Sequence, residues 1–484
     1  MNEAGESLSG VSAEDATGKG GLFKKTLAIA IPSFMTQLDG AMFIAALPPI
    51  ARALGVTPME LSFGVTAFYI AHAILLPACG WLIDRIGAKT GCLFALAAFA
   101  LFSALTALSS SLAIFVICRF LQGGAAALML ISARNILLAV TDDSNRLNAM
   151  TWVSMPMLLA PTLGPPLGGI IVTWFNWRAI FLVNIPVAIL AAAMIAILLP
   201  SVRSGLLRRF DWAGFLLVGG SLICLISALG MVSNEAPFYR LFAGLLTVGT
   251  VLGVAAYRHC ERTEHPIFDF SVFRTPTFRM STIGSGLGAR IAFRGLSFVL
   301  IIMLQLGLGI SVLKAAFIVL AVDAGDLVTK PFVSPAIKRI GYRNALFATS
   351  FIGAGGLLFI AIGAGNQPIA LLICVLVVIG AARGILFSGT TGLTYVDIRR
   401  EQHNMSSVVS ATSLQLGNAL AVAFVSIILL IAGAVTGRAG ADPGLAETKI
   451  AILALGIVAA ISAIGFRSLP KTVTVGRPDV ASLK

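Results

Sequence analysis

From Leu27 almost to Leu469, apolar runs follow one another with short polar or basic segments between them. A run of about 20 residues covers a hydrocarbon core of roughly 30 Å at the helical rise, so each predicts a membrane-spanning helix. The runs fall near 27–50, 61–83, 92–108, 111–131, 149–172, 178–199, 212–231, 239–257, 279–306, 312–334, 344–363, 368–392, 405–433 and 448–468. A transmembrane β-barrel would alternate apolar and polar positions, and these runs are continuously apolar. The expectation is an all-α integral membrane protein of fourteen spans. The longer links, at 132–148, 200–211, 258–278 and 393–404, leave no room for a separate soluble domain, and the polar tails 1–22 and 470–484 read as disordered.

An internal echo organises the array. Asp84-Arg85-Ile86-Gly87-Ala88-Lys89 after span 2 is matched by Lys338-Arg339-Ile340-Gly341-Tyr342-Arg343 after span 10. Such self-similarity predicts two pseudo-symmetric halves of six helices, with spans 7 and 8 inserted between them. The plan is 6+2+6: an N-terminal tail (1–26), a first half (27–199), an inserted pair (212–257), a second half (279–468) and a C-terminal tail (469–484).

Composition agrees with a lipid environment. The mean hydropathy is +0.96. Charged residues make up 11%, against about 25% in soluble domains. The net charge of +13 would suggest nucleic acid until its distribution is considered. With a cytoplasmic N-terminus, 24 of the 34 Lys and Arg fall in cytoplasmic segments, six outside (Arg52, Arg178, Arg240, Lys314, Arg438, Lys449) and four within spans. That is the positive-inside bias. It places both termini in the cytoplasm of a multi-pass plasma-membrane protein, read as bacterial inner membrane, and leaves no charge that needs nucleic acid. The six cysteines are scattered singly, without metal or dithiol spacing, and read as small buried hydrophobes. The first 22 residues are polar and mixed in charge, so the run after them reads as span 1 and not as a cleaved signal.

Several segments carry chemistry. Gly80, Asp84, Arg85, Gly87 and Lys89 surround the loop after span 2, where a glycine admits a neighbouring helix and a carboxylate can pair with a basic group or a facing helix N-terminus. Arg119 lies inside span 4, followed by Gln122-Gly123. A cation at that depth should face a polar cavity and have a partner. Span 5 holds Pro161, Gly164, Pro165, Gly168 and Gly169, a pattern for a close-packed, bent helix. Span 1 holds Asp39.

These segments resemble the major facilitator superfamily: the loop after span 2 its signature motif, Arg119-Phe120-Leu121-Gln122-Gly123 its second motif, and Ala160 to Gly169 its antiporter motif. Leu38-Asp39 with Ala46-Leu47-Pro48, Trp177 to Pro186, Phe210 to Gly214, His265 to Phe268, Gln305 to Gly309 and Tyr395-Val396-Asp397 are similar to the fourteen-helix drug:proton antiporter, or multidrug efflux, family. The resemblance implies a proton-coupled exporter of small organic molecules, with Asp39 and Arg119 as proton-coupling residues, no cofactor and no metal. The expected partners are a small-molecule substrate, protons and the lipid bilayer, and the chain is expected to be a monomer. Ala88 and Ala160 depart from the family's usual Arg and Gly, and Gly40 to Ala45 replaces its usual Thr and Asn, which implies a less polar site or a different substrate.

Further intramembrane charges are Arg290 and Arg294, Asp323 and Asp326, and Arg383. The first two pairs have i,i+4 and i,i+3 spacing, so each lies on one helix face. The expectation is that Arg294 pairs with Asp323 or Asp326 across spans 9 and 10. With His72 on span 2 they are candidates for an ion-pair network, a proton relay or an organic-anion site. A carrier of an anionic metabolite is therefore an alternative reading, and a non-transporting membrane sensor or enzyme a second. An ATP-driven pump would need a phosphate-cradling loop, but Gly18-Lys19 is followed by Gly20 in a polar tail. No H-E-x-x-H or G-x-S-x-G is present.

Overall fold

A computed structural model describes residues 11–141, 146–201, 210–230, 236–263, 266–398, 402–438 and 442–470. Among them are seventeen α-helices and no strand. In the first half these are α1 (Val11–Ala45), α2 (Leu47–Leu54), α3 (Pro58–Ile86), α4 (Ala88–Leu108), α5 (Leu112–Val140), α6 (Arg146–Trp174), α7 (Ala179–Leu182) and α8 (Asn184–Leu198). Then come α9 (Trp212–Gly230) and α10 (Ala236–Arg262). The second half has α11 (Pro276–Thr282), α12 (Ser285–Ile302), α13 (Val312–Thr329), α14 (Val333–Gly363), α15 (Ile369–Tyr395), α16 (His403–Val435) and α17 (Leu445–Phe466). Eleven helical segments are long and apolar enough to cross a membrane, and Trp212–Ala228 is a shorter apolar helix. The protein is a multi-pass, all-helical membrane protein.

Local chemistry sets the breaks. Span 1 is not one helix: it stops at Ala45 and resumes as α2, whose first turn carries proline, a residue without an N–H to continue the ladder. Gly55, at φ 68, ends α2. The next helix starts on a capping box, with the Thr57 N–H donating to Glu60 Oε2 at 2.7 Å and the Glu60 N–H donating to Thr57 Oγ1 at 3.2 Å. Span 6 is likewise divided into α7 and α8 around Val183. At the other end, α1 starts at Val11, inside the segment expected to be a disordered tail.

The echo seen in the sequence has a backbone counterpart. α3 ends on Gly87 (φ 87, ψ 148), and the long helical segment Val312–Gly363 turns back on itself at Gly341 (φ 76, ψ 160). Both are positive-φ positions that only glycine adopts freely.

One buried cluster joins the two halves. It runs from Phe43, Leu47, Leu61 and Phe115 to Leu300, Leu304, Ala315 and Val319, all near the ends of their helices farthest from the start of α1. At that end the Gln305 side chain, on a π-helical turn after α12, donates to the Ala45 carbonyl at 2.9 Å, and Ser62 and Ser426 meet at 2.9 Å. A second cluster, from Ile29 and Ile83 through Leu96 and Met129 to Leu199, stays within the first half. The halves are thus fused at the end away from α1's start; toward the other end a cavity opens between α1 and α6 on one side and α12, α13 and α15 on the other, while α5 and α16 still meet there through Arg134, whose Nη1 donates to Ser407 Oγ at 2.6 Å. α9 lies across α3 and α16, burying Ile70, Ile74, Ile226 and Ala419 together, while α10 exposes Val248, Val251 and Val254 as a lipid-facing surface would.

Candidate functional site

Four helices converge on Asp39. The Arg119 Nη1 on α5 donates to Asp39 Oδ2 at 2.6 Å. Oδ1 accepts from Asn184 Nδ2 on α8 at 2.7 Å and from Gln122 Nε2 at 3.4 Å. Asn184 also donates to Ser103 Oγ on α4 at 3.0 Å, and Ser103 donates to the Phe181 carbonyl at 2.8 Å. Gln122, one turn after Arg119, accepts from its Nη1 at 2.7 Å. Asp39 is fully buried and Arg119 almost so. Withdrawing each charge from water costs several kcal/mol even after relaxation, and only good geometry with further hydrogen bonds offsets it. Ring faces help here: the guanidinium lies 4.9, 4.6 and 5.8 Å from the rings of Phe43, Phe68 and Phe181. The structure thus brings Asp39, Arg119 and Gln122 together. Asn184 and Ser103 were not singled out from sequence, although a lone amide in the apolar Trp177 to Pro186 segment was the available signal. His72 stands apart, at the α3–α16 seam, with Gln415 Nε2 3.4 Å from its Nε2 and no hydrogen bond to Asp39 or Arg119.

A second polar group lies in the other half. Arg383 on α15 donates through Nη2 to Asp323 at 2.6 Å and through Nε to Asp326 at 3.2 Å, both on α13. Lys330 forms an ion pair with Asp326 at 2.8 Å. The expected pairing of Arg294 is therefore wrong. Helical spacing puts Asp323 and Asp326 on one face but does not say which neighbour that face meets. It meets α15, and Arg294 instead stands 5.5 Å over the Phe387 ring with its Nε unpartnered. Lys330, not singled out from sequence, belongs to this group.

Between the halves lies a cavity of about 400 Å³, lined by Gln37 and Pro161 on one side and by Arg290, Arg294, Asp326 and Phe387 on the other. A narrower pocket sharing Gln37, Pro161, Arg294 and Asp323 adjoins Tyr69 and Asn418. The profile of the Major Facilitator Superfamily matches residues 29–422. The chain belongs to this superfamily.

Relatives that carry the name multidrug resistance protein MdtD match along most of the facilitator chain. That of Citrobacter koseri is 31% identical over 446 residues, 91% of this chain and 93% of its own. That of Escherichia coli K12 is 30% identical over 445 residues with the same coverage. That of Salmonella heidelberg is 32% identical over 402 residues, 83% of this chain and 85% of its own. Among solved structures, a POT family transporter in complex with 5-aminolevulinic acid aligns with a TM-score of 0.66 at 16% identity, covering 93% of this chain and 95% of that one. An auto-inhibited POT family peptide transporter aligns at 0.65 and 16%, covering 94% and 98%. At those identities the likeness is one of fold. The facilitator described here is a membrane transporter and not an enzyme.

The facilitator's two glycine-bearing motifs differ in what they pack against. In the α6 motif, a Cβ at Gly164 would collide with the Ala41 side chain, one at Gly168 would lie 2.8 Å from the Met42 carbonyl oxygen, and one at Gly169 would lie 2.9 Å from Ala316 on α13. α6 runs as one helix over Pro156, Pro161, Pro165 and Pro166, its glycines fitting it to α1 and across the seam. Near the end of α3, a Cβ at Gly80 would meet nothing within 4 Å, so the close approach expected there is absent. Asp84, expected to pair, has no partner among the described residues. Arg85 lies 4.5 Å from the Trp81 ring, and Lys89 donates to the Ala196 and Leu199 carbonyls at 2.7 Å, a cation closing the C-terminus of α8. Among the cysteines, expected to be buried, Cys374 lies exposed on α15 and Cys224 is half-buried.

Proposed function

We propose that this facilitator is a proton-coupled antiporter that exports small organic molecules by alternating access, with fourteen spans in a 6+2+6 plan and both termini in the cytoplasm. Fourteen follows if Val312–Gly363 counts as two spans across Gly341 and if α6 and α9 are added to the eleven segments. Export is supported by the α6 motif and by relatives named for multidrug resistance. On this reading the cavity opens to the cytoplasm and the fused end faces outward.

The observation that carries proton coupling is the fully buried Asp39, whose ionised form depends on one cation, Arg119. Protonation of Asp39 removes that pairing, and Arg119 is left to Gln122 and the three phenylalanine rings. The same helix reaches the seam within two turns: Ala41 and Met42 pack on α6, and the Ala45 carbonyl accepts from Gln305. A proton at Asp39 therefore biases the contact that holds the outer end shut. The experiment is accumulation of two probes, ethidium and 1-naphthoate, in cells expressing the wild type or Asp39→Asn, with and without a protonophore. Lower accumulation of at least one probe in wild-type cells, abolished equally by the protonophore and by the substitution, is expected; protonophore-insensitive efflux contradicts it.

A further inference from the structure

The charges around the cavity are not evenly shared. Arg383 and Lys330 take up Asp323 and Asp326, and Arg119 takes up Asp39. Those groups are each neutral in sum. Arg290 and Arg294 are left over, one turn apart on α12: neither forms an ion pair among the described residues, although Arg294 feels the charges of Asp323 and Asp326 across the same cavity. Arg290 is only 4% exposed and its Nη1 has no hydrogen-bond partner; Arg294 Nε has none either. Both line the 400 Å³ cavity. Two unpaired cations at this depth are costly, and an intramembrane cation ordinarily has a partner. The same cavity offers apolar walls at Met157, Leu327, Phe387 and Leu414.

We infer that the cavity binds an organic anion, its carboxylate or other oxyanion held by Arg290 and Arg294 and its apolar body lying against Phe387, Leu414 and Met157. A planar guanidinium presents parallel N–H donors that match an oxyanion's oxygens, which an ammonium does not. The bound anion supplies the directly hydrogen-bonded counter-ion that these two residues lack. This rests on the transporter reading above but not on proton coupling, and it sets the substrate class apart from cationic drugs.

The test is equilibrium binding to the purified full-length protein in detergent, without a pH gradient, comparing 1-naphthoate with its cationic counterpart 1-naphthylmethylammonium. Naphthoate is expected to raise the Tm and to bind about tenfold or more tighter than the cation, a margin of one charged hydrogen bond. Arg290→Gln and Arg294→Gln should each weaken naphthoate by a similar factor, Arg294→Lys less so. Without ligand, both Gln variants should unfold at or above the wild-type temperature, since each sheds an unpaired charge. Cation binding as tight as the anion's, undiminished naphthoate binding in both Gln variants, or a lowered ligand-free Tm marking the arginines as structural would each overturn the inference. Because no gradient is imposed, a failure of proton coupling would leave these results unchanged.

Discussion

At the scale of single residues, the first half of the molecule is organised around one carboxylate. Asp39 accepts from Arg119, Asn184 and Gln122, and these partners are not equivalent. Arg119→Ala leaves a buried charge without its counter-ion, a loss of about 3–5 kcal/mol. Asn184→Ala removes one donor of a charged hydrogen bond, about 1–3 kcal/mol. Thermal unfolding in detergent should therefore rank wild type above Asn184→Ala and Asn184→Ala above Arg119→Ala, and the reverse order for the two variants would contradict the geometry. Asp39 and Arg119 were legible in the sequence because an ionisable residue within an apolar run is costly and so needs a partner or a function, and Gln122 because it follows Arg119 in the same motif. Asn184 was not, because an amide is cheap enough to pass as packing. Arg294 was assigned the wrong partner because spacing along a helix reports a face and not the neighbour across from it.

At the scale of elements, close approach governs α6. Gly168→Leu would drive a side chain into the α1 backbone at Met42, an overpacking loss of about 1–3 kcal/mol or more. Gly80→Ala, inside α3 with open space around it, should not lower the Tm, since Ala is favoured over Gly in a helix interior by about 0.5–1 kcal/mol. Equal effects of the two would contradict the packing described. The inserted pair is tied down from outside the membrane by Asp211, just before α9. Burial pushes its carboxyl pKa up, but the Gly214 N–H, the His259 ring and the Ile267 N–H outweigh this and hold it below the usual carboxylate range. A folded-state value below the unfolded one, about 3.9, contributes stability that is present above that pH and is lost as pH falls through the folded value. Thermal stability of the wild type should therefore drop more steeply than that of Asp211→Asn as pH falls below about 4, and parallel profiles would contradict the assignment. The apolar runs gave the positions of nearly all the helices. Their breaks at Ala46 and Val183 were invisible, because an apolar run does not stop being apolar where its helix ends.

At the scale of the whole molecule, the repeat was readable as two basic loops and is realised as two glycines with the same backbone conformation, Gly87 and Gly341. Which end of the bundle is closed was not readable, since it depends on contacts such as Gln305 with Ala45 and Gly169 with Ala316 that join residues far apart in sequence. Under the proposed mechanism, those contacts make the seam near Asp39 the place where a proton biases opening. The most direct measurement is transport into proteoliposomes under an imposed pH gradient, for wild type and Asp39→Asn, with ethidium and 1-naphthoate as test solutes. Wild-type accumulation of at least one solute should rise with the gradient and collapse when the gradient is dissipated, and Asp39→Asn should show no response to the gradient. Gradient-independent transport by both proteins, or transport of neither solute by the wild type, would contradict it.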